Sequence, residues 1–166
     1  QAMKIYQSAH AYPHIRFSGL DCHIGSQLTE LTPFMQASNK LLDLLQTVQS
    51  QGIAITHLDL GGGLGIRYRN ESPPSIKDYV SALCACTQAV NQKILIEPGR
   101  SLIGNAGILL TRVEYLKHTP ARNFAIVDAA MNDLMRPALY DAYHEILPVF
   151  RSAQSVSSYQ IVGPVC

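Results

Sequence analysis

Tryptophan is absent from this 166-residue sequence, aromatic residues make up only 7%, and charged residues 15%. The charges nearly cancel, leaving a net +1. The chain therefore has neither the basic excess that grips nucleic acid or an anionic membrane nor the acidic excess of a solvating tail. No apolar run approaches the roughly 20 residues that cross a bilayer, and no stretch reads as a secretory leader. Nucleic-acid and membrane partners are not expected. Cysteine is sparse, at Cys22, Cys84, Cys86 and Cys166. None of these forms the two-residue-spaced pair of zinc and thiol-redox motifs, and Cys84 and Cys86 fall about 200° apart around a helix. No metal site is expected, and reduced thiols point to the cytoplasm.

What is present suits a packed core, with 47% hydrophobic residues. The first two-thirds alternate strand and helix. FSGLDCHI at 17–24, IAITHLDL at 53–60 and KILIE at 93–97 read as buried strands. Between them, Thr32 is expected to cap a helix with Pro33 at its first position. Phe34, Ala37, Leu41, Leu44, Leu45 and Val48 recur at helical spacing, and Gly52 supplies the stop. Ser75 is expected to cap a second helix in a box-like arrangement with Asp78. Ile76, Tyr79, Val80, Leu83 and Val90 supply its apolar face. Units of this length build parallel α/β sheets, as barrels or doubly wound. After Arg100 the pattern changes to strands at 107–117, 123–129 and 158–165, as in an antiparallel β-domain. A boundary is expected at 101–106. The first ten residues read as the tail of a helix, and the chain stops directly after a strand-like stretch, so it is expected to be an interior piece of a longer protein.

Polar motifs cluster where the first three strands end: HIGSQ from His23 to Gln27, GGGLG from Gly61 to Gly65, and EPGR from Glu97 to Arg100. In a parallel barrel the carboxyl ends of the strands form the active-site face, so the three motifs point at one pocket. The glycine run reads either as a flexible turn or as backbone N–H groups around a phosphate. It is not a dinucleotide fingerprint, because Ile66 stands where the last glycine belongs, and it lacks the Lys-Ser/Thr pair of a P-loop. Glu97 is either half of an ion pair with Arg100 or a carboxylate that could keep a ring nitrogen protonated. His23 alone reads as a structural histidine, but Gly25 and Ser26 turn the reading towards a ring-and-phosphate site.

HIGSQ, LDLGGGLG, IEPGR, DAAMNDLMRPALYDAYHEI and the final GPVC, in this order and spacing, resemble the landmarks of the diaminopimelate decarboxylases. These belong to the alanine-racemase-like, fold-type III decarboxylases that use pyridoxal 5′-phosphate (PLP). The stretch Arg136 to His144 resembles the diaminopimelate branch in particular. The resemblance implies a (β/α)8 TIM-type barrel, with its C-terminal part at residues 1–103, and the start of a C-terminal β-domain at 104–166. It implies decarboxylation of meso-2,6-diaminopimelate to L-lysine, the last step of lysine biosynthesis, by a cytoplasmic homodimer whose active site is shared across the interface.

It also implies residue roles. His23 would stack on the cofactor ring. Ser26 and the backbones of Gly61, Gly62 and Gly63 would hold the phosphate. Glu97 would meet the pyridine nitrogen, with Gly99 and Arg100 near the phosphate and Pro98 beside them as a further cofactor-binding residue. Arg100, Arg136 and Tyr140 would hold the distal carboxylate of the substrate, which suits the planar guanidinium fork. Cys166 would protonate the substrate carbon, together with His23 as a catalytic group. The Schiff-base lysine of the family lies on the first barrel strand, and none of Lys4, Lys40, Lys77, Lys93 or Lys117 reads as a replacement, so the chain alone is expected to be inactive. The alternatives are an ornithine- or arginine-type decarboxylase, which would want an acidic group where Arg136 stands, and a PLP-binding homologue without catalysis.

Overall fold

The computed structural model describes residues 1–150 and 157–165. The chain divides into two compact units, Gln1–Ala106 and Gly107–Cys166.

In the first unit, helix α1 (Ala2–Gln7) and a 3-10 turn lead into strand β1 (Gly19–Asp21). Helix α2 (Thr32–Ser50), strand β2 (His57–Asp59), helix α3 (Ile76–Thr87), strand β3 (Lys93–Leu95) and the short helix α4 (Gly99–Ile103) follow. The strands form one parallel sheet in the order β1-β2-β3, with Leu20 beside Leu58 and Leu58 beside Ile94. The described part is thus an α/β unit, with each strand followed by a helix. The strands are shorter than the sequence pattern suggests. Their ladders stop where the chain turns into the polar loops, and parallel pairing resumes only at the isolated bridge between Leu28 and Leu64.

Alternation along a strand sends neighbouring side chains to opposite faces. Leu20 and Leu58 point into the helix layer and are buried, while Asp21 and Asp59, partners in register, point to the other face. The core joins Leu20 and Leu58 to Phe34, Leu41, Leu45 and Val48 of α2 and to Tyr79 and Leu83 of α3. Phe34 and Tyr79 meet edge to face, with centroids 4.9 Å apart. Gly52 follows α2 with φ +79°, a left-handed backbone that ends the helix at little steric cost.

Two helix expectations need correction. Thr32 does not cap α2. Leu31 already has helical dihedrals (φ −78°, ψ −32°), so the helix starts one position earlier, without a side-chain cap. On α3, Ser75 does cap, accepting a hydrogen bond from the Asp78 N–H at 3.0 Å and donating to the Asp78 carboxylate at 2.7 Å. The expected apolar face is narrower, however: Tyr79 and Leu83 are buried, whereas Ile76 and Val80 are 57% and 37% exposed.

The second unit holds strands β4 (Val113–His118), β5 (Asn123–Val127) and β6 (Gln160–Val162), with the one-turn helix α5 (Arg136–Tyr140) between the last two. The sheet order is β4-β5-β6. The expected all-antiparallel sheet is not found: β4 pairs antiparallel with β5, but β5 pairs parallel with β6. A tight turn joins the first pair. The long excursion through α5 brings the chain back to the end of the sheet from which β5 started, so β6 runs beside β5 in the same direction.

Burial separates positions that look alike in sequence. Leu58→Ala should lower unfolding free energy by about 2–5 kcal/mol, the usual cost of emptying a buried leucine site. Ile76→Ala should change it by no more than about 0.5 kcal/mol. Urea denaturation of the two variants checks this, and equal losses would contradict the assigned core.

Candidate functional site

Glycine chemistry lets the loops after β1, β2 and β3 meet. A Cβ on Gly62 would land on the carbonyl oxygen of Glu97. Gly63 has φ +108°, and a Cβ there would lie 2.5 Å from the carbonyl oxygen of Gly25. Only glycine permits both the backbone conformation and the approach. The strand ends are stitched by the Cys22 N–H to the Asp59 carbonyl at 3.1 Å and the Glu97 N–H to the Gly61 carbonyl at 2.9 Å.

Three carboxylates converge here. One oxygen from each of Asp21, Asp59 and Glu97 lies within 4.8 Å of the others. Asp59 Oδ1 accepts the Gly61 N–H at 2.9 Å. His23 Nδ1 accepts the Gly62 N–H at 3.2 Å and also lies 3.5 Å from Glu97 Oε2. These two contacts exclude each other in any one protonation state. A neutral ring with a bare Nδ1 takes the Gly62 hydrogen, whereas a protonated ring donates to Glu97. Both side chains are about half exposed, so the ion pair is weak.

Arg100 reaches across the loops. Its Nη2 donates to Ser26 Oγ at 2.8 Å, and its Nη1 donates to Tyr68 OH at 3.0 Å. The guanidinium also lies 5.7 Å from the centre of the Tyr68 ring. Arg100 thus turns to Ser26 and Tyr68, while Glu97 turns to His23. Tyr68 is a site residue that the sequence reading missed, because nothing local in GIRYRN marks it. Its loop is held by Glu71 Oε2, which accepts the N–H groups of Arg69 at 2.6 Å and Tyr68 at 3.0 Å. The Arg69 N–H is the main cause that holds the Glu71 carboxyl below its usual range. This anchor is present at neutral pH and is lost as pH falls through that lowered value.

The expected site residues divide as follows. His23, Ser26, Gly61, Gly62, Gly63, Glu97 and Pro98 lie on the loops after the three parallel strands of the first unit, and Gly99 and Arg100 open α4 directly after the third. The N–H groups of Gly61 and Gly62 are given to Asp59 and His23. A phosphate would be met by Gly63 and the side-chain donors, or would displace those bonds. In the second unit, Arg136 and Tyr140 stand at the two ends of α5, one helical turn apart and so on one face. Cys166 lies outside the described residues. Lys4, Lys40, Lys77, Lys93 and Lys117 are all exposed, and Lys93 opens β3 at the end away from Glu97. Among the described residues, no helix is long and apolar enough to cross a membrane.

The site can hold an anion and a protonated ring. Ser26 and Arg100 offer hydroxyl and guanidinium donors, the glycine run lets the three loops approach closely, and Glu97 presents an exposed carboxylate beside an imidazole.

The chain is similar to known proteins over its whole length. Residues 1–104 match the family model described as the pyridoxal binding domain of pyridoxal-dependent decarboxylases. The chain is 51% identical to the diaminopimelate decarboxylase of Pseudomonas aeruginosa over 166 residues, covering all of this chain and 40% of the relative. It is 48% identical to that of Vibrio cholerae over 167 residues, with the same coverage. A crystal structure of the Helicobacter pylori diaminopimelate decarboxylase complexed with L-lysine superposes with a TM-score of 0.88 at 36% identity, over 99% of this chain and 41% of that one. The chain thus spans about 40% of the length of the curated relatives it matches.

The loop glycines should differ sharply in tolerance. Gly62→Ala and Gly63→Ala should each destabilise the fold by about 1–3 kcal/mol, through overpacking at the first and a disfavoured backbone at the second. Gly99→Ala, whose Cβ would meet nothing within 4 Å, should stay within about 0.5 kcal/mol. Parallel urea titrations of the three variants decide the matter. A tolerated Gly62→Ala would refute the close approach of the β2 and β3 loops.

Proposed function

The chain belongs to the pyridoxal-dependent decarboxylase family, and on that premise we propose that it is part of a diaminopimelate decarboxylase, a carboxy-lyase that converts meso-2,6-diaminopimelate to L-lysine with PLP. In this reading β1 to β3 are consecutive strands of a (β/α)8 barrel, and the residues from 104 onward begin its β-domain. The enzyme is a cytoplasmic homodimer with its site shared between subunits. The observation that carries the reading is the meeting of Ser26 with Arg100 and of His23 with Glu97, pairs separated by 74 residues in both cases. Neither pair is needed to build a sheet, and together they offer an anion grip beside a carboxylate and a flat ring.

Ser26 Oγ, the glycine backbone and Arg100 hold the phosphate side. His23 lies against the ring, and the Glu97 carboxylate holds the proton on the pyridine nitrogen. Bound PLP supplies the electron sink that accepts the pair left when the substrate carboxylate departs as carbon dioxide. Glu97 makes that sink deeper because its charge stabilises a cationic ring. Arg136 and Tyr140, on one face of α5, bind the distal carboxylate of diaminopimelate. This explains an arginine where an ornithine- or arginine-type decarboxylase would want an acidic group. Cys166 Sγ returns a proton to the substrate carbon. The lysine that links the cofactor is assigned to the remaining length of the enzyme, since none of the five lysines here lies on the loops after β1, β2 and β3.

Two substitutions in the full-length enzyme test the two halves of the proposal. Glu97→Ala should cut kcat by roughly 10²–10³-fold, the usual loss on removing a preorganised electrostatic group. Its loading with PLP should change far less, as measured at saturating cofactor by absorbance. Near-normal turnover would remove Glu97 from the ring nitrogen. Arg136→Ala should lower kcat/KM on diaminopimelate by roughly 30-fold or more, as expected for truncating one partner of a guanidinium–carboxylate pair. Steady-state assays with diaminopimelate, lysine and ornithine provide the check. A preference of the unmutated enzyme for ornithine would move the assignment elsewhere in the family.

A further inference from the structure

Gln27 sits between two loops that both reach the site. It is one of two non-glycine residues, among those described, with positive φ (59°), a backbone conformation that side chains with a Cβ disfavour. Its carboxamide binds both polar groups of a single residue. Nε2 donates to the Ile66 carbonyl at 2.6 Å, and Oε1 accepts the Ile66 N–H at 3.1 Å. The side chain thus does what the peptide group of a neighbouring strand would do. The next residue continues the pairing with true backbone bonds. The Leu28 N–H donates to the Gly63 carbonyl at 2.9 Å, and the Gly65 N–H donates to the Leu28 carbonyl at 2.9 Å. Four hydrogen bonds therefore join residues 27–28 to residues 63–66. Ser26, which accepts from Arg100, lies directly before this clasp on one side, and Gly61 and Gly62 lie directly before it on the other.

We propose that Gln27 is the positioning residue of the phosphate grip: by pairing with the Ile66 backbone it fixes the His23–Ser26 loop against the glycine run, so that both close on one phosphate group. This rests on the reading that the site binds PLP. Gln27 itself touches no ligand in this scheme, since both polar ends of its carboxamide are engaged by Ile66. Its effect is to hold two loops at one separation before the ligand arrives, which raises affinity by lowering the cost of ordering them.

The carboxamide has a near-isosteric probe. A neutral carboxylic acid can donate to the Ile66 carbonyl and accept from its N–H, as the amide does, whereas an ionised carboxylate can only accept and sets its charge against the carbonyl oxygen. Gln27→Glu should therefore mend itself as pH falls. The test uses the full-length apoenzyme and its Gln27→Ala, Gln27→Gly and Gln27→Glu variants, titrated with PLP and followed by protein fluorescence without substrate. Gln27→Ala and Gln27→Gly should raise Kd by roughly tenfold, equivalent to about 1.4 kcal/mol, by a factor that does not vary with pH. Gln27→Gly relieves the positive φ, so it stays folded even where the alanine variant is too unstable. The ratio of Kd for Gln27→Glu to that of the unmutated enzyme should be large near about pH 8 and fall as pH approaches the usual glutamate range of about 4.3, where the carboxyl takes up its proton. Unmutated affinity in the alanine and glycine variants, or a glutamate ratio that is flat with pH, overturns the proposal while leaving the cofactor reading intact. An unmutated apoenzyme that takes up no PLP overturns both.

Discussion

The parallel register of three short strands is the constraint on which the rest of the first unit depends. With Leu20, Leu58 and Ile94 aligned, one face of the sheet becomes hydrocarbon and is covered by α2 and α3. The same register aligns Asp21 with Asp59 on the opposite face and makes all three loops leave the sheet at one end. Because side chains alternate with a period of two, sliding one strand by one residue would exchange these faces. It would place carboxylates among leucines. The energy that packs the helices is therefore also what fixes where the polar groups stand, and the site needs no separate framework.

That framework crowds charge of one sign. Asp21, Asp59 and Glu97 lie close together, and their mutual repulsion is relieved in part by backbone donors and by the imidazole of His23. Solvent access weakens every one of these terms. A cationic ring held against Glu97 would be favoured by the same crowding, and an anionic group would be repelled from it. The opposite preference prevails a short distance away, where Arg100 extends between Ser26 and Tyr68. The two ends of the site thus differ in sign, which would orient a ligand carrying a cationic ring at one end and a phosphate at the other.

The sequence disclosed those features whose causes are local. The apolar spacing of α2, its stop at Gly52, the Ser75–Asp78 cap and the polar strand ends all depend on residues within a few positions of each other. The misses have non-local causes. Ile76 and Val80 fit a helical stripe, but the other described residues leave them exposed. Thr32 is a good cap residue displaced by a Leu31 that had already entered the helix. The parallel pairing of β6 depends on a long excursion whose return direction no short pattern encodes. Tyr68 contacts Arg100 across 32 positions and Gln27 contacts Ile66 across 39, so their neighbours in sequence announce nothing. Family likeness, not periodicity, was what singled out Arg136, Tyr140 and Cys166.

Fourteen hydrophobic side chains are buried among the described residues, and only two of them, Ala125 and Val127, belong to the second unit. Every residue of β4 is exposed, as are Ile108, Leu110, Ile146, Leu147 and Phe150. Opening energies follow buried apolar contact, so the two units should not lose their structure together. Amide protons of β1, β2 and α2 would exchange with solvent only in nearly global unfolding, whereas those of β4 to β6 would exchange through a far cheaper partial opening.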